Sequence, residues 1–381
     1  MLKEAHKLMI YLDNAATTRV SEAAADAVAK TLREQFGNPS SLYDIGFEAQ
    51  KTLESAREKV ARALGCKSSE VFFTSGGTES NNLAILGAAR ARQGWANEIV
   101  ITAYEHPSVE NCARELEREG FAVRRIAPDS CGRVSAQKII DAVTAKTALV
   151  CAMSVNNETG AKLDVSAIAR EVKSKNHRTA VHCDNVQGFA KHQLSLDGGI
   201  DTASASAHKL HGPKGIGALY IRGGFNLDNV LFGGHQERGM RPGTENVPYA
   251  AGFAAALEEA KLSETDVAML RARLAAGLAN IDNVVLNSPA DGSEYIVNFS
   301  LKGCPSEPLL RWFSGREIYV SGGSACTKGE RSRTLAVMGL DDSIIDSAVR
   351  VSFSTDNTAD DVDALLALVP EAQKEFSRVR K

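Results

Sequence analysis

The chain has 381 residues, of which 44 are Lys or Arg and 47 are Asp or Glu, so its formal net charge is −3. This length allows two domains or one large α/β unit with a sizeable core. We find neither a basic run suited to nucleic acid or anionic lipid nor an apolar run of the ~20 residues that cross a bilayer, so small molecules or other proteins are the expected partners.

The N-terminal stretch 1–12 interrupts its few apolar residues with Lys3, Glu4, His6 and Lys7, which is unlike the apolar centre of a secretory signal. We therefore expect a cytoplasmic protein. Seven cysteines form no CxxC pair, and an odd number leaves at least one free thiol. Both a disulfide framework and a zinc ribbon are disfavoured, so no metal site is predicted and most cysteines should be small buried hydrophobic residues.

The first predicted helix covers 47–64, where apolar residues repeat on one face, and Gly65 is placed to end it. From residue 68 to about residue 221, short β-rich runs alternate with amphipathic stretches such as a helix predicted over 164–175. This alternation is typical of βαβ units and a mostly parallel sheet. The candidate strands cover 71–74, 98–102, 122–126, 148–153, 179–184 and 217–221.

Beyond Gly223 and Gly224 the alternation lapses, and a glycine-rich loop leads into a long Ala/Leu/Glu helix predicted over 247–280. The remainder of the chain mixes further helices with short strands, which indicates a smaller α+β domain. The strands predicted there cover 295–300, 318–320 and 349–353.

Two residues next to predicted strands suit pyridoxal phosphate chemistry. Lys209 follows the small residues 204–207 and precedes a glycine turn, so it is confined as a Schiff-base lysine must be, although a solvated surface lysine is the alternative. Asp184 is the last residue of an apolar run that is predicted as a parallel strand, and open α/β sheets bind ligands at the carboxyl ends of such strands. The alternative role of Asp184 is a helix N-cap. A lysine for the covalent link and an aspartate that keeps the pyridine nitrogen protonated are what this cofactor requires of a protein.

The segment 74–82, Thr-Ser-Gly-Gly-Thr-Glu-Ser-Asn-Asn, leads from a predicted strand into a predicted helix. Its glycines would let the backbone approach a phosphate, and the helix N-terminus would offer amide donors. The segment is neither a Walker A loop nor a GxGxxG fingerprint. Taken alone, it is equally compatible with an ordinary capped turn.

Six segments, together with 11–18, occur in an order and at spacings that resemble cysteine desulfurases of the NifS/IscS type. These enzymes belong to the class V aminotransferase-like, fold-type I pyridoxal phosphate enzymes. The six segments are 74–82, 104–107, 154–160, 184–187, 206–209 and 321–327. The resemblance covers almost the whole chain and implies a large domain over 15–260, with a mostly parallel seven-stranded sheet between helices, and a smaller α+β domain built from 1–14 and 261–381.

The resemblance also implies a role for each residue that matches. Lys209 would form the Schiff base and later move the Cα proton of the substrate, while Asp184 would pair with the pyridine nitrogen and Gln187 with the phenolate oxygen. His106 would stack on the cofactor ring, although a packed histidine at a strand end is the alternative. The implied phosphate ligands are Gly77, Thr78, Ser206 and His208.

The resemblance further implies a homodimer, in which Thr244 would reach the phosphate of the other subunit. Asn157 and Arg350 would hold the substrate carboxylate, and two parallel bonds from Arg350 could not be reproduced by a lysine. Asn157 lies in segment 154–160, and the match to the family extends to the region of Arg350. The substrate that the resemblance implies is the amino acid L-cysteine.

Cys326 differs from the other six cysteines because it lies in a glycine-rich, charged stretch without helix or strand periodicity. Lys328, Arg331 and Arg333 would favour its thiolate, and an inert loop cysteine is the alternative. The resemblance, which is to the group I branch, implies that Cys326 takes the sulfur of L-cysteine as a persulfide and leaves L-alanine. An acceptor protein, such as an iron–sulfur scaffold or a tRNA-thiolation protein, would then receive the sulfur.

The chain departs from the family at Tyr43, where many relatives have histidine, in a shorter stretch between Cys326 and Gly339, and in the residues that follow Arg350. Rival enzyme functions are a selenocysteine lyase and a β-elimination lyase that uses no persulfide. A catalytically inactive scaffold is a third alternative, against which the presence of the lysine, the aspartate and the cysteine argues. The sequence leaves the sulfur acceptor and the pathway open.

Overall fold

The protein is described by a computed structural model over residues 9–260, 265–322 and 331–379, in which helices surround one large sheet and two small ones. The strands are β1 Ile10–Tyr11, β2 Val71–Thr74, β3 Glu98–Thr102, β4 Ala122–Ile126, β5 Thr147–Met153, β6 Ala180–Asp184, β7 Thr202–Ser206, β8 Gly217–Ile221, β9 Val284–Leu286, β10 Ile296–Leu301, β11 Ile318–Tyr319 and β12 Ala348–Ser352. The helices are α1 Glu22–Glu34, α2 Asp44–Leu64, α3 Gly77–Arg90, α4 Pro107–Arg118, α5 Ala136–Ala142, α6 Val165–Lys175, α7 Val247–Ala260, α8 Val267–Ala279, α9 Ser306–Ser314, α10 Arg333–Val337, α11 Asp342–Ile345 and α12 Ala359–Val379.

The large sheet has seven strands in the order β2-β8-β7-β6-β5-β3-β4. Strand β8 is antiparallel to both of its neighbours, and the other pairs are parallel. The central strands β5 and β6 are buried along their whole length, as expected for a sheet covered by helices on both faces. The predicted α/β fold with a mostly parallel seven-stranded sheet is therefore confirmed.

Strand β7 is absent from the predicted strands, although it lies in the middle of the sheet. Its sequence, Thr-Ala-Ser-Ala-Ser, has one β-branched residue and no aromatic residue, so it lacks the usual composition of a strand. All five residues are buried, and α3 packs against the strand. The close approach of the helix requires small side chains, which removed the signal that predicts a strand.

The helix ends follow local capping. Helix α2 ends before Gly65, which adopts the left-handed conformation at φ +73°, as its position in the sequence predicted. Helix α6 begins after Asp164, whose carboxylate accepts a hydrogen bond from the amide of Ala167 at 2.8 Å. Among the described residues no helix is long and apolar enough to cross a membrane.

The prediction of one helix over 247–280 is wrong. The described residues form two helices, α7 and α8, and residues 261–264 between them lie outside the description. Asp266 precedes α8, and its carboxylate accepts from the amide of Met269 at 3.1 Å. An aspartate just before an apolar run is an N-cap signal, and the composition of the whole stretch concealed it.

Two smaller sheets complete the structure. Strands β12, β10 and β9 form an antiparallel sheet, and β1 pairs in parallel with β11, which brings the N-terminal strand beside the last third of the chain. The apolar side chains of β10 and β12 pack with α8 and α12 into a core of their own. Arg350 belongs to β12, so this sheet carries one of the predicted site residues.

Candidate active site

A cavity of about 480 Å³ lies at the carboxyl ends of β5, β6 and β7, where parallel sheets commonly bind ligands. Most of the predicted site residues line this cavity, although they come from segments spread over most of the chain. These residues are Gly77, Thr78, His106, Asn157, Asp184, Gln187, Ser206, His208, Lys209 and Arg350. Two predicted residues are not among them: Thr244 is exposed on a loop, and Cys326 lies outside the described residues.

Lys209 is held in the cavity by the backbone of the N-terminal segment. It ends a single 3-10 turn, Ala207–Lys209, that follows directly on β7. Its Nζ donates to the carbonyl oxygens of Ala15 and Ala16 at 2.6 and 2.7 Å. The side-chain Nε2 of Gln187 also donates to Ala15 O, at 2.9 Å, so the side chains of Lys209 and Gln187 bind the same carbonyl oxygen. Lys209 is therefore confined, and the alternative of a solvated surface lysine is wrong.

Asp184 ends β6 and is fixed by a buried hydrogen-bond network. Its Oδ2 accepts from Asn81 Nδ2 at 2.8 Å, and its Oδ1 accepts from the amide of Val186 at 3.1 Å. Asn81 Oδ1 lies 2.9 Å from His182 Nε2, and His182 Nδ1 lies 2.9 Å from Thr202 Oγ1. Burial lowers the pKa of His182 to about 4, so the ring is neutral and Nε2–H donates to Asn81. A turn rather than a helix follows Asp184, so it is not an N-cap.

His106 joins the same network from the other side. Asn81 Nδ2 donates to Ser108 Oγ at 2.8 Å, and Ser108 Oγ lies 2.8 Å from His106 Nδ1. His106 Nδ1 also accepts from the amide of Ser108 at 3.1 Å, so His106 caps α4 while its ring lines the cavity. Burial lowers the pKa of His106, which keeps the ring neutral. One asparagine therefore couples the positions of Asp184 and His106.

One end of the cavity has the shape and the donors of an anion site. Gly77 and Thr78 form the first turn of α3, whose free amides and dipole favour negative charge. A Cβ on Gly77 would lie 2.5 Å from Val186 Cγ2, so this position requires glycine. Within the described part of the chain, the buried Ser206 Oγ has no hydrogen-bond partner. Burial and the neighbouring Lys209 lower the pKa of His208 to about 3, so His208 is also neutral.

Arg350 presents a buried guanidinium at another wall of the cavity, with a relative exposure of 1%. Its Nη2 donates to Asp13 Oδ1 at 2.7 Å, and its Nη1 donates to the carbonyl of Asn157 at 2.9 Å. The loop that carries Asn157 is held by Asn156, whose Oδ1 accepts from the amides of the two residues after Asn157, both at 2.9 Å. The guanidinium is thus fixed in place before any ligand enters.

Two acidic residues of the cavity had no role in the sequence-based predictions. Glu105 is buried, Met153 N donates to its Oε1 at 2.8 Å, and burial raises the pKa of Glu105 to about 8. Glu158 accepts from Ser332 Oγ at 2.5 Å and from Thr334 Oγ1 at 2.8 Å. Both residues lie inside segments that match the family, so the sequence indicated that they are near the site. No signal in the sequence indicated which residues they contact.

The cysteines that the structure describes fit the expectation that most are buried. Burial raises the pKa of Cys66 and that of Cys112 to about 12. It also raises the pKa values of Cys151 and Cys183 well above the ordinary value. These four thiols are therefore poor sources of thiolate at neutral pH. Cys131 is exposed, which makes it a suitable comparison for a reactive cysteine.

Comparisons with known proteins identify the family and the fold of the chain. Residues 10–365 match the family model described as Aminotransferase class-V. A protein named Cysteine desulfurase 2, from Trichormus variabilis, is 40% identical over 95% of this chain and 92% of its own length. A solved structure titled NIFS-LIKE PROTEIN has a TM-score of 0.88 and 37% identity, covering 96% of this chain and 99% of that one. Another, titled SspA in complex with cysteine, has a TM-score of 0.80 and 31% identity, covering 90% and 98%.

Proposed function

The chain belongs to the aminotransferase class-V family, among relatives named cysteine desulfurases of the NifS and IscS type, and we propose that it is a cysteine desulfurase that uses pyridoxal phosphate. The observation that carries the proposal is that Lys209, Asp184 and the N-terminus of α3 line one cavity. That cavity therefore holds a lysine, a carboxylate and an anion site together, which are the three groups this cofactor needs.

The residues present fit pyridoxal phosphate. Ser206 Oγ is buried and has no hydrogen-bond partner among the described residues, so its hydroxyl is available to donate to an anion. We propose that Ser206, Gly77, Thr78 and His208 hold the phosphate. Asp184 would face the pyridine nitrogen, Gln187 the phenolate oxygen, His106 the ring, and Lys209 would bond to the aldehyde carbon. When bound, the cofactor supplies an electron sink for the charge that develops on the substrate Cα.

The remaining site residues would bind and activate L-cysteine. Arg350 and the side chain of Asn157 would hold the substrate carboxylate, since the guanidinium already faces the cavity in a fixed position. Lys209 Nζ would take the proton from Cα. The Cys326 thiolate would attack the substrate Sγ, so that L-cysteine and the Cys326 thiol become L-alanine and a Cys326 persulfide. Sulfur passes from one thiol to the other, and no external oxidant is required.

We further propose a cytoplasmic homodimer that passes its sulfur to an acceptor protein, such as an iron–sulfur scaffold or a tRNA-thiolation protein. Exposed apolar side chains support the dimer, because a monomer would leave them in water. The most exposed aromatic ones are Phe36 at 73% and Phe232 at 86%. Thr244 is exposed on the same loop as Phe232, and it is absent from the lining of its own cavity. A position beside the partner's phosphate would account for both facts.

The test is sulfide release from L-cysteine in the presence of dithiothreitol. We expect Cys326→Ala to abolish release, whereas Cys131→Ala, which removes an exposed cysteine away from the cavity, should leave the rate unchanged. Mass spectrometry of the cysteine-treated enzyme should find one additional sulfur atom on the peptide that contains Cys326. An unchanged rate in Cys326→Ala would instead favour a β-elimination lyase.

A further inference from the structure

The loop that follows β8 and carries Thr244 contains an unusual turn. In the 3-10 segment Gln236–Gly239, Glu237 has φ +46° and Arg238 has φ +55°, followed by Gly239 at φ +80°. Two consecutive non-glycine residues in the left-handed region are strained and persist only when their surroundings hold them there. The contacts of the turn therefore show which residues hold it in this strained conformation.

A buried ion pair holds the turn in place. Arg57 Nη1 and Nη2 donate to the two carboxylate oxygens of Glu237 at 2.7 and 2.9 Å, in a two-bond arrangement. The amide of Phe73 also donates to Glu237 Oε2, at 3.0 Å. The side chains of Arg57 and Glu237 have relative exposures of 6% and 2%. The pair ties the turn to α2 and to β2, and none of these residues lines the cavity of its own chain.

Two further contacts fix the residues that follow, which we call the arm, residues 240–244. The side chain of Gln236 accepts from the amide of Gly243 at 3.1 Å and closes the loop on itself. Arg241 Nε donates to Glu79 Oε1 at 2.8 Å. The tip of the arm, at Gly243 and Thr244, is nevertheless exposed. The arm is therefore held in a defined shape by its own chain while its tip projects into solvent.

We propose that Glu237 is a positioning residue that fixes the arm so that Thr244 completes the cofactor phosphate site of a second copy of the chain. This inference rests on the proposed function, specifically on the homodimer and on pyridoxal phosphate. Burying two charges is costly unless they are well paired, and the benefit of this pair falls on a strained turn that touches no part of its own cavity. A second copy is the chain to which the fixed tip is available.

The first experiment compares the release of pyridoxal phosphate and of pyridoxal from the full-length enzyme loaded with either one. Glu237→Gln and Thr244→Ala should each speed the release of pyridoxal phosphate about tenfold, the usual consequence of losing one hydrogen bond to a charged group. Release of pyridoxal, which has no phosphate, should be unchanged. The double variant should be no faster than Thr244→Ala, because Glu237 acts through the arm.

Asp201→Asn is the matched control, because Asp201 is also a buried carboxylate, with Lys173 Nζ at 2.5 Å and Arg222 Nη2 at 2.7 Å, away from the arm. It should lower thermal stability without affecting cofactor release. If Glu237→Gln gives no folded dimer while Asp201→Asn does, the ion pair serves the fold of its own chain and the inference is overturned.

Mixed dimers separate an effect on the partner from an effect within the same chain. An enzyme made from Glu237→Gln and Lys209→Ala subunits contains one site with both an intact lysine and an intact arm, so it should recover sulfide release. Thr244→Ala mixed with Lys209→Ala should recover it equally. If the mixture of Thr244→Ala with Lys209→Ala recovers sulfide release and the mixture of Glu237→Gln with Lys209→Ala does not, the inference about Glu237 is wrong, whereas the proposed dimeric site is supported. If neither recovers, the proposed dimeric site itself is wrong.

Discussion

Replacing Asn81 with alanine should loosen Asp184 and His106 together, because one amide couples them. Its Nδ2 donates to Asp184 Oδ2 and to Ser108 Oγ at 2.8 Å each, and its Oδ1 lies 2.9 Å from His182 Nε2. A buried polar group that loses its partner costs about 1–3 kcal/mol. The His182 N–H loses its acceptor outright, while Asp184 keeps other donors, so we expect Asn81→Ala to lower the free energy of unfolding by about 3 kcal/mol.

The neighbouring Asn82 offers a matched control. Its Nδ2 donates to the carbonyl of Thr78 at 2.9 Å on the exposed side of α3. Asn82→Ala removes the same atoms from the same helix, so its effect on stability should stay within about 0.5 kcal/mol, as for most surface substitutions. Urea unfolding of both variants measures the difference. Equal free energies of unfolding for the two variants would refute the network as a source of stability.

The chemical consequence is separate from stability. If Asp184 faces the pyridine nitrogen, a less constrained carboxylate should alter the pH titration of the visible absorbance of bound pyridoxal phosphate. We also expect kcat for L-cysteine to fall by about tenfold to hundredfold, because catalytic groups lose rate steeply when displaced. An Asn81→Ala enzyme with wild-type absorbance and kcat would contradict the argument even if it were less stable.

Three further predictions address other parts of the cavity. Arg350→Lys should raise KM for L-cysteine by about tenfold or more with a smaller change in kcat, since an ammonium cannot replace the two-bond guanidinium, and an unchanged KM would exclude the carboxylate role. Gly77→Ala should weaken pyridoxal phosphate binding, because the new Cβ would lie 2.5 Å from Val186 Cγ2, whereas Gly94→Ala, in open space, should not; equal affinities measured by titration would contradict this. Burial raises the pKa of Glu105 from 4.5 to about 8, so the unfolded chain releases this proton first as pH rises, and the folded state loses stability between those pH values. The Glu105→Gln variant has no carboxyl group at this position and should not lose this stability. The free energy of unfolding of the variant minus that of the wild type should therefore increase between pH 5 and pH 8, and a difference that stays constant would refute the prediction.

The mostly parallel sheet was predictable because most of its strands are short apolar runs between polar connections. The predicted bounds of its six recognised strands lie within one residue of those observed. The exception, β7, shows the limit of composition. Its residues are small because α3 packs closely against the strand. This contact joins segments that are distant in the sequence, so neither segment shows a periodic pattern that would reveal it. The same limit explains the helix predicted over 247–280, where a helical composition outweighed the cap signal of Asp266.

The candidate site was predictable as a set of positions and not as a set of contacts. Lys209 and Asp184 could be proposed from their local patterns, and the family resemblance, which the comparisons confirm, supplied the others. The contact of Asn81 with His182 joins residues 101 positions apart, and the pair of Arg57 with Glu237 joins residues 180 apart. Such pairs depend on which helices, strands and loops the fold packs together, so they became visible only with the structure.

The charges around the cavity suit the proposed cofactor, because the two histidines that line it, His106 and His208, and His182 behind Asn81 add none. Burial lowers the pKa values of His106, His182 and His208, so at neutral pH each ring can hydrogen-bond without carrying a positive charge. A histidinium beside Asp184 would compete with a protonated pyridine for the carboxylate, and this arrangement avoids that competition. Lys209 Nζ, which two carbonyl oxygens hold in the cavity, would then be the amine available to the aldehyde carbon of the proposed cofactor. If Asp184 faces the pyridine nitrogen, the neutral rings would thus favour the same outcome as Asp184, which is a protonated cofactor nitrogen.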